Sequence, residues 1–167
     1  KTHDAAVSLC FYPDLNNDVI LPLILRNEYN GVHSNQISLP GGKKEYDDSD
    51  LIETSKRETF EEIGIIKENM NFQFKLTDIY IPPSNFLVSQ YIFIIENTPL
   101  LNPNRDEVVK VIKPKLTSLM NLNIQYGYIN EKKIECPFFL IENHIVWGAT
   151  AMTVSYTHLT LPTKDGG

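Results

Sequence analysis

The chain has 167 residues, 42% apolar and 22% charged, with a formal net charge of −6. That length suits one domain, and the acidic balance excludes a nonspecific nucleic-acid binder, which needs a basic face. A phosphate-bearing small molecule stays open if a metal ion supplies the positive charge. No apolar stretch approaches the ~20 residues that cross a bilayer, so no membrane partner is expected.

The elements run in chain order. "KTHDAAVSLCFYP" reads as a first strand, over Ala5–Tyr12, and not as a signal peptide. Val19–Leu25 reads as a second strand, with "DLNND" as the turn between them. Arg26–Asn35 reads as a polar loop, and Pro40-Gly41-Gly42 is a strong break signal. Asp50–Ile63 is helical: Asp50 can cap the start with Glu53 three residues on, and Gly64 sits where a left-handed residue ends a helix. Phe72–Ile81 and Phe86–Ile95 read as strands joined by "PPSN", and Val108–Ile112 as another. Pro114 suits the first turn of a short helix through Met120. Phe138–Ile141 and His144–Trp147 are short strands around "EN", and Ala149–Val154 begins a closing helix. The order predicts an α+β domain, an α/β/α layering around a mixed sheet. Cys10 and Cys136 lie far apart in apolar contexts and read as two buried free thiols of a cytoplasmic protein.

One stretch carries chemistry: "LPGGKKEYDDSDLIETSKRETFEEIGI", from Leu39 to Ile65. Glu58, Glu61 and Glu62 fall three and four residues apart, on one face of the predicted helix. Like charges at that spacing cost a few tenths of a kcal/mol per pair, and a divalent cation reverses the sign. Oxygen donors alone favour a hard cation such as Mg2+ or Mn2+. A solvated acidic face is the plain alternative. Arg57 adjoins Glu58 and can orient the carboxylates, and the glycines before the helix allow close backbone approach.

These residues resemble the Nudix box, G-x5-E-x7-R-E-U-x-E-E-x-G-U with U aliphatic. "RETFEEIG" supplies Arg57, Glu58, Glu61, Glu62 and Gly64, followed by Ile65. Two departures stand out. The interval from Gly42 to Arg57 is one residue longer than the pattern, and Asp47, Asp48 and Ser49 occupy the neighbourhood of the early glutamate. Thr59 stands at the first aliphatic position. The longer loop is similar to the coenzyme A diphosphatase branch, as are "QISLPGG" with Arg26 upstream, "YIPPSNFLV" downstream and "VWGATAM" near the end. Asn27, Gly31, Asn35 and Leu39 replace the Ser, Arg, Gly and Phe of that branch's upstream pattern.

The resemblance implies the Nudix α/β/α sandwich over residues 1–154. It implies a hydrolase of nucleoside diphosphate derivatives, most specifically coenzyme A or its acyl forms, using Mg2+ or Mn2+. ADP-sugars, (deoxy)nucleoside triphosphates and a non-catalytic ligand-binding regulator are the rival readings. In this reading Glu58 and Glu62 bind metal, Glu61 binds it or stands behind the ligands, and the Gly42 carbonyl adds an oxygen. Arg57 positions Glu61 or Glu62. Arg26 reaches a substrate phosphate or is a surface arginine; Lys43 and Lys44 meet the 3′-phosphate or sit in a solvated loop. Ser84 and Asn85, on a loop opposite the box, bind substrate or merely form their turn. Glu107 is a further carboxylate for the site or an acidic strand start. His33 is not assigned a role, and Trp147 reads as core. Residues 155–167 break from the resemblance and read as a tail outside the domain.

Overall fold

The computed structural model describes residues 1–27, 37–82, 84–122, 125–129, 134–147, 150, 151 and 153, with the backbone alone at 128, 129, 134–137 and 147. The expectations for Gly31, His33, Asn35 and residues 155–167 fall outside these, as do the side chains of Cys136 and Trp147.

The central strand is β1, His3–Pro13. It pairs in parallel with β7 (Phe86–Ile94), and β6 (Asn71–Ile81) lies antiparallel beyond β7. Along its other edge β1 takes β2 (Val19–Ile20) and β5 (Gly41–Lys43), both antiparallel. A second sheet joins β4 (Ile37–Ser38), β3 (Leu23–Arg26) and β8 (Val108–Ile112). A third is the antiparallel set β9 (Gln125–Ile129), β10 (Ile134–Ile141) and β11 (His144–Trp147).

Period-two alternation sends successive β1 side chains to opposite faces. Ala6, Cys10 and Tyr12 join one apolar cluster with Ile63 and Phe93. Leu9 joins the other with Phe139, Ile141, Val146 and Ala151. The long helix α1 (Leu51–Ile63) covers the first face. A short helical segment containing Thr150, Ala151 and Thr153 lies on the second. This is the expected mixed sheet between helical layers.

Three expectations are corrected. Val19–Leu25 is two strands, because Pro22 lacks the N–H that would continue the ladder. Arg26 ends β3 and does not open the following loop. The Pro-Gly-Gly turn runs straight into β5, so Gly41 and Gly42 pair with Val7 and Ala6. The short helix expected near Pro114 is α2, Leu116–Met120. Among the described residues no helix is long and apolar enough to cross a membrane.

Candidate active site

The helix that carries the carboxylates is fixed at both ends. Asp50 accepts the Glu53 N–H at 2.8 Å, satisfying one of the free donors of the first turn. Gly64 takes φ 78°, and its N–H bonds the Phe60 carbonyl at 2.9 Å. The last turn's carbonyls are also taken up: Asn102 N–H donates to Ile63 at 2.8 Å, and Asn104 N–H to Glu62 at 2.9 Å. The buried face carries three small hydroxyl residues, Thr54, Ser55 and Thr59, beside Glu62 and Ile63. The Thr59 and Ser8 hydroxyls lie 2.9 Å apart and both reach the Ser55 carbonyl, at 2.7 and 3.1 Å, so the two O–H donors are shared within this triangle. Thr59, at a position where the box has an aliphatic residue, thus has its hydroxyl satisfied inside the helix–sheet contact.

Asp48 closes the loop before the helix. Its carboxylate accepts from Arg57 twice, Nε at 2.8 Å and a terminal nitrogen at 3.0 Å. It also accepts from the Glu45 N–H and the Thr54 hydroxyl, each at 2.9 Å. The bidentate pair holds Asp48 well below the usual carboxylate range, with Arg57 the leading cause. The loop carboxylate that the one-residue offset hid in the sequence is therefore Asp48, nine residues before Arg57.

Held this way, Arg57 aims its other terminal nitrogen at Glu58 (3.1 Å) and Glu61 (3.2 Å), and also donates to the Lys43 carbonyl at 3.1 Å. It orients Glu58 and Glu61. Glu62 belongs to a different partner: Arg26 donates to it at 2.5 Å, and the Gly41 N–H at 2.8 Å. Glu62 is 1% exposed, and burial pushes its carboxyl up to about 7 against the opposing pull of Arg26. Burial also raises Glu58, with Glu61 and Glu107 adding to the shift and Arg57 opposing it. Glu107 is thus close enough to be felt by Glu58, from an exposed position just before β8.

Gly42 packs directly on this cluster. A Cβ there would lie 2.6 Å from the Glu58 carboxyl carbon. Only glycine lets the backbone approach that closely. Lys43 is exposed at the end of β5, opposite Ala5. Ser84 and Asn85 form the β6–β7 turn, Asn85 at φ 55°. Asn85 accepts from the Tyr80 hydroxyl and donates to the Lys1 carbonyl, both at 2.9 Å, and the Ser84 hydroxyl donates to Ile81 at 3.4 Å. The turn sits at the same end of β1 as Lys43, with β1 between them.

Three of the carboxylates meet arginines: Glu58 and Glu61 at Arg57, Glu62 at Arg26. Among the described residues no three of His, Cys, Asp and Glu stand together as a ready-made cation site. The donor set nevertheless fits a hard divalent cation, because it offers oxygen alone. The notch between Glu58 and Glu61 already takes a positive group, one nitrogen of Arg57.

The NUDIX domain model matches residues 2–134. Mitochondrial coenzyme A diphosphatase NUDT8 of Mus musculus is 33% identical over 137 residues, 76% of this chain and 63% of that protein. The Homo sapiens protein of the same name is 31% identical over 132 residues, covering 75% and 56%. NudL of Pectobacterium atrosepticum, an uncharacterized Nudix hydrolase, is 30% identical over 129 residues, covering 73% and 65%. The chain thus spans 56–65% of the length of these relatives. Among solved structures, the Nudix hydrolase RenU of M. smegmatis gives a TM-score of 0.56 at 16% identity, covering 68% of this chain and 71% of that one. A C. elegans Ap4A hydrolase gives 0.57 at 16%, covering 71% and 83%. With the box, the sandwich and a family match over most of its length in agreement, the chain belongs to the Nudix domain family.

Proposed function

We propose that the protein hydrolyses the diphosphate linkage of a nucleoside diphosphate derivative with a divalent metal ion, Mg2+ or Mn2+. The observation that carries this is Glu58, packed on the Gly42 turn and sharing one Arg57 nitrogen with Glu61, with Glu62 buried one turn further along the same helix. Glu58 and Glu62 are desolvated with raised pKa, and the Gly42 backbone is pressed against Glu58. Burying a carboxylate is costly unless it is paired; Glu58 and Glu62 are each met by one arginine, and a bound cation would add to that compensation. Glu58, Glu61, Glu62 and the Gly42 carbonyl would hold the metal. When bound, it supplies charge neutralisation at the phosphoryl oxygens and a more acidic water. The chain's own residues set the stage: Arg57, pinned by Asp48, orients Glu58 and Glu61, and the Asp50 cap and Gly64 fix the helix that bears them.

Coenzyme A or an acyl derivative is the preferred substrate in this reading, cleaved to 3′,5′-ADP and 4′-phosphopantetheine or its acyl form. The names of the NUDT8 relatives support it, as does the longer box loop. Lys43, Ser84 and Asn85 then contact substrate at the shared end of β1. The test is chromatography of products from coenzyme A, ADP-ribose and dGTP with each metal. Coenzyme A should show the highest kcat/KM. A much higher value for ADP-ribose or dGTP refutes the substrate and leaves the reaction class standing.

A further inference from the structure

The last residue of β3 and the one after it face two different parts of the site. Arg26 follows Ile24 on the same face by the two-residue alternation, the face toward α1. Each of its three side-chain nitrogens is engaged within the protein. One donates to Glu62 at 2.5 Å, one to the Gly41 carbonyl at 3.1 Å, and Nε to the Ser38 hydroxyl at 3.0 Å. Glu62 closes a ring by accepting the Gly41 N–H at 2.8 Å. The guanidinium and the helix carboxylate, bonded to each other, thus take up the two polar groups of Gly41, the residue before Gly42: Arg26 its carbonyl and Glu62 its N–H.

Asn27 does the corresponding work on the other side. Its N–H donates to the Glu107 carbonyl at 3.0 Å. Its side-chain amide donates to the carbonyls of Arg105 and Asp106, both at 2.9 Å. Three consecutive carbonyls are thus gathered by one residue. The β3–β8 register slips here, from Leu25 opposite Lys110 to Arg26 opposite Val108. The extra residue is Val109 of β8, and a bulge of this kind increases the local twist of the ladder where β3 ends. The same segment returns to the helix end, where Asn104 N–H bonds the Glu62 carbonyl.

We infer that Arg26 and Asn27 are a positioning pair, which joins Glu62, the Gly41–Gly42 turn and the Arg105–Glu107 segment into one fixed frame. Arg26 acts through Glu62 in place of a role at the substrate phosphate. The inference rests on the proposed metal-dependent reaction for its kinetic part and on geometry alone for its structural part. A lysine at 26 keeps a charge but presents a single point donor and cannot make the fork. An alanine at 27 removes the amide that gathers two of the three carbonyls.

The test uses the full chain and the variants Arg26→Lys, Asn27→Ala, Glu62→Gln and Arg26→Lys with Glu62→Gln. Without metal, amide hydrogen exchange should quicken at Gly41 in Arg26→Lys and over 105–108 in Asn27→Ala, with melting temperatures near wild type. Unchanged exchange at those amides overturns the pair, whatever the enzyme does. Mn2+ binding without substrate, read by electron paramagnetic resonance, should weaken about tenfold or more in Arg26→Lys, as when a partner of a metal ligand is lost. In turnover of the best substrate, kcat should fall while KM stays within about twofold, and the double variant should be no worse than Glu62→Gln alone. A large rise in KM with Mn2+ affinity intact makes Arg26 a substrate contact and overturns its assignment. Wild type that neither binds Mn2+ nor turns over substrate refutes the proposed reaction, and the exchange data still decide the frame.

Discussion

Replacing Asp48 by Ala removes four accepted hydrogen bonds at once: two from Arg57 and one each from the Glu45 N–H and the Thr54 hydroxyl. The side chains of Asp48 and Arg57 are 5% and 14% exposed, so solvent replaces little of what is lost. Breaking a buried pair by removing one partner costs about 3–5 kcal/mol. Arg57 keeps Glu58, Glu61 and the Lys43 carbonyl, which puts the expected loss at the lower end, about 3 kcal/mol. For a chain of this size that lowers Tm by about 6–12 °C. The pH dependence has a definite sign. Arg57 holds the folded Asp48 carboxyl below its unfolded value of about 3.9, so its stabilisation is fully present above that pH and is lost as pH falls through the folded value. Urea unfolding of wild type and Asp48→Ala should differ by a constant amount from about pH 8 to pH 5, and the difference should shrink below about pH 4. Asp48→Asn should recover little, because its amide turns a donor toward the guanidinium. A difference under about 1 kcal/mol at neutral pH, the level of an exposed pair, or one that grows on acidification, refutes the reasoning.

Gly42→Ala should force the Glu58 carboxyl away from a Cβ placed 2.6 Å from its carbon, lowering kcat by about tenfold or more on the scale of lost metal-site partners; steady-state kinetics at saturating metal checks this. Cys10 is fully buried, and burial pushes its thiol up to about 12. In a Cys136→Ser background it should not react with a thiol reagent at neutral pH until the chain is unfolded in guanidinium, and prompt labelling of the native protein contradicts that placement.

Features legible in the chain and features hidden in it divide along the range of the interactions. Asp50, Glu53 and Gly64 signal the helix ends because caps are local, and the structure has the Asp50 cap bond and the left-handed Gly64. The single face for Glu58, Glu61 and Glu62 comes from helical spacing, yet their partners do not. Glu62 pairs with Arg26, 36 residues earlier, while Arg57 takes Glu58 and Glu61. Spacing alone cannot tell which arginine serves which carboxylate. Asp48 is hidden by a one-residue shift of the loop; its pairing with Arg57 depends on how that loop folds back. β9 is missed although Tyr126 and Tyr128 alternate with Gln125 and Gly127, because five residues with a central glycine are a weak local signal, and the strand is completed by pairing with β10. The Ser8–Thr59 contact likewise needs the helix to be seated on the sheet before it has meaning.

The central claim, that Glu58, Glu61 and Glu62 hold a metal that makes the chain a hydrolase, is tested most directly by the rate of product release from coenzyme A after chelation and stepwise return of Mg2+ or Mn2+. The metal-cage reading predicts no turnover in excess EDTA, full recovery with metal, and a loss of about 10–100-fold or more in Glu62→Gln at saturating metal with the fold retained. Turnover that persists in EDTA, or a folded Glu62→Gln as fast as wild type, contradicts it.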